Sequence, residues 1–322
     1  SDGTVRDVTE RTVFISNNGI AAKASPAGLV TSGKPGEAFI MARFDQITTG
    51  TQIISIPKLP DYKFPNEPAA NYIDTLVYAK HQKVRITPSG LCDDSTFIRR
   101  LYLDVVGQLP EPQAVKSFVD DKSPDKRAKL VDELLNRPEF VKMWVMKWAE
   151  LLQIRTDNNR FQYKNAILYF EWLRSQFEKN RPMNEIVQEI LGSKGGTFSN
   201  PAGNFYQIQR DSKKLMENTV QIFMGMRIQC AQCHNHPFDR WTMDDYYSFA
   251  NFFSQVGRKG SEDNREIIIY NRGSGSVRHP VGNRDMPPKF LGGERPDTSG
   301  KDRRELLAKW LASDDNPFFA KN

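Results

Sequence analysis

The sequence predicts a multidomain chain: a small N-terminal β-sandwich, then a mainly α region, then an irregular tail ending in one helix. Three observations carry this expectation. Short alternating apolar segments, broken by turn residues, fill positions 1–58. Pro57, Pro60, Pro65 and Pro68 then mark a stiff, extended linker over 59–71. From Tyr72 the apolar period becomes helical and stays so to about residue 257. Residues 258–322 form the strand-and-loop tail and the start of a following domain.

The β elements come first. Thr12–Ser16 reads as a strand turned by Asn17-Asn18-Gly19. Ile20–Ala24 follows, and Ser25-Pro26-Ala27-Gly28 turns the chain again. Leu29–Ser32 leads to Gly33-Lys34-Pro35-Gly36, after which Ala38–Phe44 alternates as a half-buried strand does.

The helices follow. Tyr72 to about His81 carries Ile73, Leu76 and Val77. Asp93 or Asp94 caps the next helix, which Gly107 and Pro110 end. Further helices run over 111–119, from Ser123-Pro124-Asp125-Lys126, from Arg137-Pro138-Glu139, over Tyr163–Lys179, and around Ile186, Ile190 and Leu191. A loop rich in Gly, Ser and Asn spans 192–203, and the helix after it is expected to deliver a cysteine pair. Beyond Val256, residues 257–264 read as polar and mobile, 267–270 as a strand, and Arg303–Leu311 as a final amphipathic helix.

That pair is the chemical centre of the chain. Cys230-Ala-Gln-Cys233-His234 matches the c-type haem attachment pattern. On a turn of helix two sulfurs at this spacing reach the two vinyl groups of one porphyrin, and the adjoining imidazole reaches the iron as proximal ligand. Leu215, Val220, Phe223, Met224 and Ile228 lead an apolar face into the motif. Tyr246, Tyr247, Phe249, Phe252 and Phe253 are candidates to wall a macrocycle. Two alternatives stand beside haem: half of a zinc site, with Cys92, His81, His236 and His279 as scattered further donors, and a redox dithiol or disulfide.

For the iron's other face the candidates are His279, on a separate loop, then Met243, with His236, His81, Met224 and Met226 behind them. Arg227, Arg240 and Trp241 flank the motif and are candidates to hold propionates.

Composition narrows the function classes. Forty-five Lys and Arg against 39 Asp and Glu give a net charge of +6, spread along the chain without the basic stripe that nucleic-acid binding needs. No apolar run approaches the ~20 residues that span a bilayer. Three cysteines, two of them in one motif, make no disulfide framework. There is no Ser-His-Asp set, P-loop or dinucleotide glycine pattern.

Two resemblances extend the reading. Asp2–Thr9, Ile20-Ala21, Gly28-Leu29-Val30 and Pro35–Ile40 resemble a partial group 2 bacterial immunoglobulin-like domain, whose first strand would lie before Ser1. Phe97–Pro110, Leu130–Leu135 and Cys230–Tyr247 resemble the planctomycete cytochrome-c-like family, the second PSCyt type, from about residue 75 to 257. Met243 departs from the Gln expected in that last stretch. The tail from Arg303 through Asn316-Pro317-Phe318-Phe319-Ala320 resembles the opening of the PSD-type domain that usually follows, most of which lies beyond Asn322.

The resemblance implies an exported protein of planctomycetes and related bacteria carrying one haem c, in the periplasm or at the cell surface. It implies no reaction. Electron transfer with a redox partner protein or small-molecule donor or acceptor is the first expectation. A haem redox enzyme, peroxidase-like or oxidising a small molecule or carbohydrate, is the alternative, and a cell-surface binding or scaffold protein the third. No nucleic-acid partner and no transmembrane segment are expected.

Overall fold

Five strands open the chain, the first four in the segments expected and the fifth, over Ile47–Ser55, beyond them. They are β1 (Val13–Ser16), β2 (Ala22–Ala24), β3 (Val30–Ser32), β4 (Gly36–Phe44) and β5 (Ile47–Ser55). In this computed structural model, which describes residues 4–45, 47–65, 67–156, 161–237, 239–314 and 316–321, they make two antiparallel sheets. One has the order β1-β4-β5, with Ile40 opposite both Ser16 and Thr51; the other pairs β2 with β3. Ala21, Ala22, Ala38 and Ile40 form a small core, joined by Val30 and Ile53.

The chain divides into two compact units. Residues 1–91 and 235–240 form the first, and residues 92–234 and 241–322 the second. Helix α1 (Tyr72–Val84) belongs to the first. Asn71 caps it by accepting from the N–H groups of Ile73 and Asp74, and Lys80 lies 2.5 Å from Glu37 of β4. The sequence read this helix as the first of the α region; by its packing it falls in the first unit. Its end runs to Val84, past the expected His81, because Arg85 supplies a left-handed cap at φ 58°.

The second unit is mainly helical. Its helices are α2 (Asp94–Val106), α3 (Pro112–Asp120), α4 (Lys126–Leu135), α5 (Pro138–Leu151), α6 (Tyr163–Glu178), α7 (Met183–Gly192), α8 (Phe205–Ile208), α9 (Ser212–Met224), α10 (Met243–Ala250) and α11 (Arg303–Leu311). Asp93 caps α2 by accepting from Thr96 N–H, and Gly107 closes it in the left-handed region. Ile98, Tyr102, Val106, Phe118, Leu130 and Leu134 bury a satellite core among α2, α3 and α4. The main core is built by α5–α11 around Val187, Tyr206, Val220, Phe249 and Leu307.

Two parts of the tail differ from expectation. Residues 256–260, overlapping the stretch 257–264 read as mobile, form β7 (Val256–Gly260). It pairs antiparallel with β8 (Ile267–Asn271), whose other edge takes the short β6 (Gly195–Gly196). The sequence Val-Gly-Arg-Lys-Gly has no alternation, so the pairing comes from its neighbour. A second small hairpin joins β9 (Arg278–His279) to β10 (Arg284–Asp285).

Helix α11, set apart in the sequence as the start of a following domain, packs on α7 in the main core, with Leu307 and Leu311 fully buried. Arg304 is buried beside it. Its guanidinium donates to the Ser193 carbonyl at 2.9 Å and to Asp302 at 2.7 Å.

Candidate functional site

The turn that carries the cysteines begins where α9 stops. Gly225, at φ 64°, caps α9 in the left-handed region, and its N–H donates to the Val220 carbonyl. The cysteine pair therefore lies beyond the helix expected to deliver it, on a separate 3-10 turn, Gln229–Gln232. Two bonds close that turn: the Cys233 and His234 N–H groups both reach the Cys230 carbonyl at 3.4 Å.

The consequence is a sided turn. In a 3-10 turn residues at i and i+3 share one face, so Cys230 and Cys233 lie on the same side, with His234 next in the chain. All three are exposed, and both thiols are free. Ala231, on the opposite side, is fully buried and roots the turn in the core with Ile228.

Helix α10 holds the turn in place. Thr242 and Asp245 form a capping box: Thr242 Oγ1 accepts from Asp245 N–H, and Asp245 Oδ2 accepts from Thr242 N–H, each at 3.1 Å. Lys289 Nζ adds a charge at 3.1 Å from Asp245 Oδ1. Burial works to raise the Asp245 carboxyl, but the bonds from Thr242 and Lys289 outweigh it and hold it below the usual carboxylate range.

From this fixed start, successive residues of α10 reach different partners. Tyr246 donates to buried Glu217 of α9 at 2.6 Å, and Tyr247 donates to the Gln232 carbonyl inside the motif at 2.9 Å. Burial, and then the nearby Cys233 sulfur, push the Tyr247 phenol upward.

His279, on β9, is brought to this cluster. Its ring meets that of Tyr247 edge-on at 5.0 Å between centroids. It is 3% exposed. Its Nδ1 lies 3.1 Å from the Val281 nitrogen and 3.2 Å from the Val281 carbonyl oxygen. Nε2 lies 3.3 Å from Asp244 Oδ1 and makes no hydrogen bond among the described residues. Arg284 takes the same Asp244 oxygen at 2.7 Å.

The other predicted residues are distributed as follows. Trp241 is buried and packs edge-on against Phe318 at 6.1 Å. Met243, at the first turn of α10, is half-buried against the main core. Arg227 is exposed in the loop between α9 and the motif. Arg240, exposed, and His236, half-buried, fall in the segment grouped with the first unit, as does His81. Cys92 is half-buried at the start of the second unit, its carbonyl accepting from Arg127.

The aromatic run of α10 does less at the motif than its composition suggests. Phe249 and Phe252 are spent on the core, where Phe252 stacks on Phe290 at 5.0 Å and Phe290 on Trp310 at 4.6 Å. Tyr247 alone among the five has a described bond to the motif. Sequence reasoning assigned it to a wall and missed its hydroxyl; the signal was a Tyr where Phe would have filled the same space.

The donor set is chemically suited to a macrocycle held by two thioethers and one imidazole. Among the described residues no group of three or more His, Cys, Asp or Glu side chains is placed to hold a metal ion. Among the same residues, no helix is long and apolar enough to cross a membrane.

Comparison with known proteins gives one match. The model of the family PSCyt2, described as a protein of unknown function (DUF1549), covers residues 72–258, more than half of the chain. No curated protein and no solved structure matches it.

Proposed function

The chain belongs to the PSCyt2 family, and on that premise we propose that it is an exported c-type haem protein that transfers electrons. The observation that carries the reading is the turn itself: two free, exposed thiols and an exposed imidazole within five residues, with Ala231 buried between them. Cys230 and Cys233 would hold haem through thioether bonds, and His234 would ligate its iron. Bound haem supplies a one-electron couple. The chain's own part is to keep the turn in shape. Tyr247 ties the Gln232 carbonyl to α10, and the Thr242–Asp245 box fixes where α10 begins.

Haem of this kind is attached outside the cytoplasm in bacteria, so the reading places the protein in the periplasm or at the cell surface. The two small antiparallel sheets of the first unit support reading residues 1–58 as part of an immunoglobulin-like module. The tail from Arg303 keeps its resemblance to a PSD-type opening.

A second reading, a haem redox enzyme, rests on the buried Nε2 of His279, which makes no hydrogen bond among the described residues, since a polar group near a haem is what peroxide or oxygen chemistry uses.

The test is expression of the full chain with haem maturation. The expected result is a Soret band that stays with the polypeptide after denaturation, and that is lost in the double variant Cys230→Ser/Cys233→Ser. His234→Ala should keep the covalent haem and change its spin state. A low-spin ferric spectrum indifferent to cyanide supports transfer; a high-spin one that binds cyanide supports the enzyme. Absence of covalent haem under these conditions overturns both.

A further inference from the structure

Away from the cysteine turn, two arginines are held side by side without a counter-charge. Arg272, at the end of β8, donates from Nη2 to the Ser254 carbonyl at 2.7 Å. Arg303, at the start of α11, donates from Nη1 to the Ser254 hydroxyl at 2.9 Å and to the Asn251 carbonyl at 3.2 Å. Two guanidinium groups thus sit on one residue. Among the described residues neither has a carboxylate within ion-pair distance. Asp302, next to Arg303 in sequence, is committed to Arg304 at 2.7 Å.

A partly buried cation without a partner is costly. The fold nonetheless assembles the pair. Burial pushes Arg303 downward, with no carboxylate acting the other way. Burial, then the charges of Arg210, Arg272 and Arg304, push neighbouring Arg258 down to about 10. The contacts to neutral carbonyls and to Ser254 use only Nη2 of Arg272 and Nη1 of Arg303. Nε and Nη1 of the first, and Nε and Nη2 of the second, have no partner among the described residues.

The backbone beside the pair is kept clear. Gly275 adopts φ +130°, and a Cβ there would lie 2.5 Å from the Ser254 carbonyl and 3.5 Å from Arg272 Nη2. Gly273, at φ +71°, faces open space. No side chain at either position covers the guanidinium groups.

We infer that Arg272 and Arg303, set on Ser254 beside the Gly273–Gly275 loop, form a binding site for one oxyanion, a phosphate or sulfate group. Arginine is the side chain suited to this task. Its planar fork offers paired N–H donors at the spacing of two oxygens, and its charge does not titrate away. The site is independent of the haem reading, because none of its residues belongs to the cysteine turn or contacts it through a described bond.

The test uses the full chain, with thermal melts and isothermal titration in sodium phosphate, sodium sulfate and sodium chloride at matched ionic strength. Phosphate or sulfate is expected to raise the Tm saturably beyond chloride. Arg272→Gln, read against its own melt in chloride, should weaken binding about ten-fold or more, the loss of one charge-assisted contact. Arg272→Lys should recover part of it. Preference for one anion identifies its source as phosphate or sulfate, and equal binding leaves the shared oxyanion chemistry standing. A Tm rise no larger than in chloride, or undiminished in Arg272→Gln, overturns the inference. Arg303→Gln also removes a contact to the end of α10, so Arg272→Gln decides the matter should Arg303→Gln not fold.

Discussion

Tyr247 donates its hydroxyl to the Gln232 carbonyl at 2.9 Å, and that bond joins α10 to the turn bearing Cys230, Cys233 and His234. It runs between positions fifteen residues apart in the chain. Tyr247→Phe keeps the ring against His279 and removes the bond alone. The expected cost is about 1 kcal/mol. Amide hydrogen exchange over residues 229–234 should accelerate while the core of α9 stays protected. Unchanged exchange there would show that the turn holds itself.

Cys230 and Cys233 are exposed and free, whereas Cys92 is half-buried. In protein made without haem, a thiol reagent should therefore titrate two sulfhydryls quickly and a third slowly. Cys230→Ser or Cys233→Ser should each remove one fast equivalent. A single reactive thiol in the native protein would mean the pair had joined to each other.

The α11 contact on α7 is tested by Leu307→Ala. Leu307 is fully buried in the main core, and truncating such a leucine costs about 2–5 kcal/mol through lost burial and a residual cavity. The loss should appear as a lower urea midpoint with a single transition. A separate, earlier transition would mean that α11 unfolds apart from the helices it touches.

Asp245 and Asp302 set an acid limit. In each, burial acts to raise the carboxyl, but hydrogen bonds, from Thr242 and Lys289 or from Arg304, outweigh it, and the folded value is depressed. The stabilisation is therefore fully present above the unfolded value of about 3.9, and is lost as pH falls through the lower folded value. Urea midpoints should hold from neutrality to about pH 5 and fall below about pH 4. Asp245→Asn should cost about 1 kcal/mol at neutral pH, as loss of a capping box does, and should flatten part of that acid slope.

Gly275→Ala tests the close approach beside Arg272. The added Cβ would meet the Ser254 carbonyl in a conformation that L side chains rarely adopt. The variant should lose more than about 1 kcal/mol, whereas Gly260→Ala, with open space around it, should change stability little.

Local chemistry explains which features could be read in advance. Asp93 and Gly107 bracket α2 because a side-chain acceptor and a left-handed glycine act on their own neighbours. Arg303–Leu311 emerges with the bounds expected of it, and the apolar face of α9 is buried throughout. Gly225 carried the same kind of signal as Gly107. Weighed as a helix stop, it would have moved the cysteines off α9.

By itself the sequence determined the alternation of helix and turn along the second unit, and the spacing that sets two thiols three residues apart beside an imidazole. Those depend on interactions within a few residues. Only the tertiary structure decided that β7 is a strand, that α11 shares the main core, that Tyr247 spends its hydroxyl on the motif, and that Arg272 and Arg303 meet on Ser254. Each of these is a contact between distant positions, where partner and geometry are set by packing and not by local propensity.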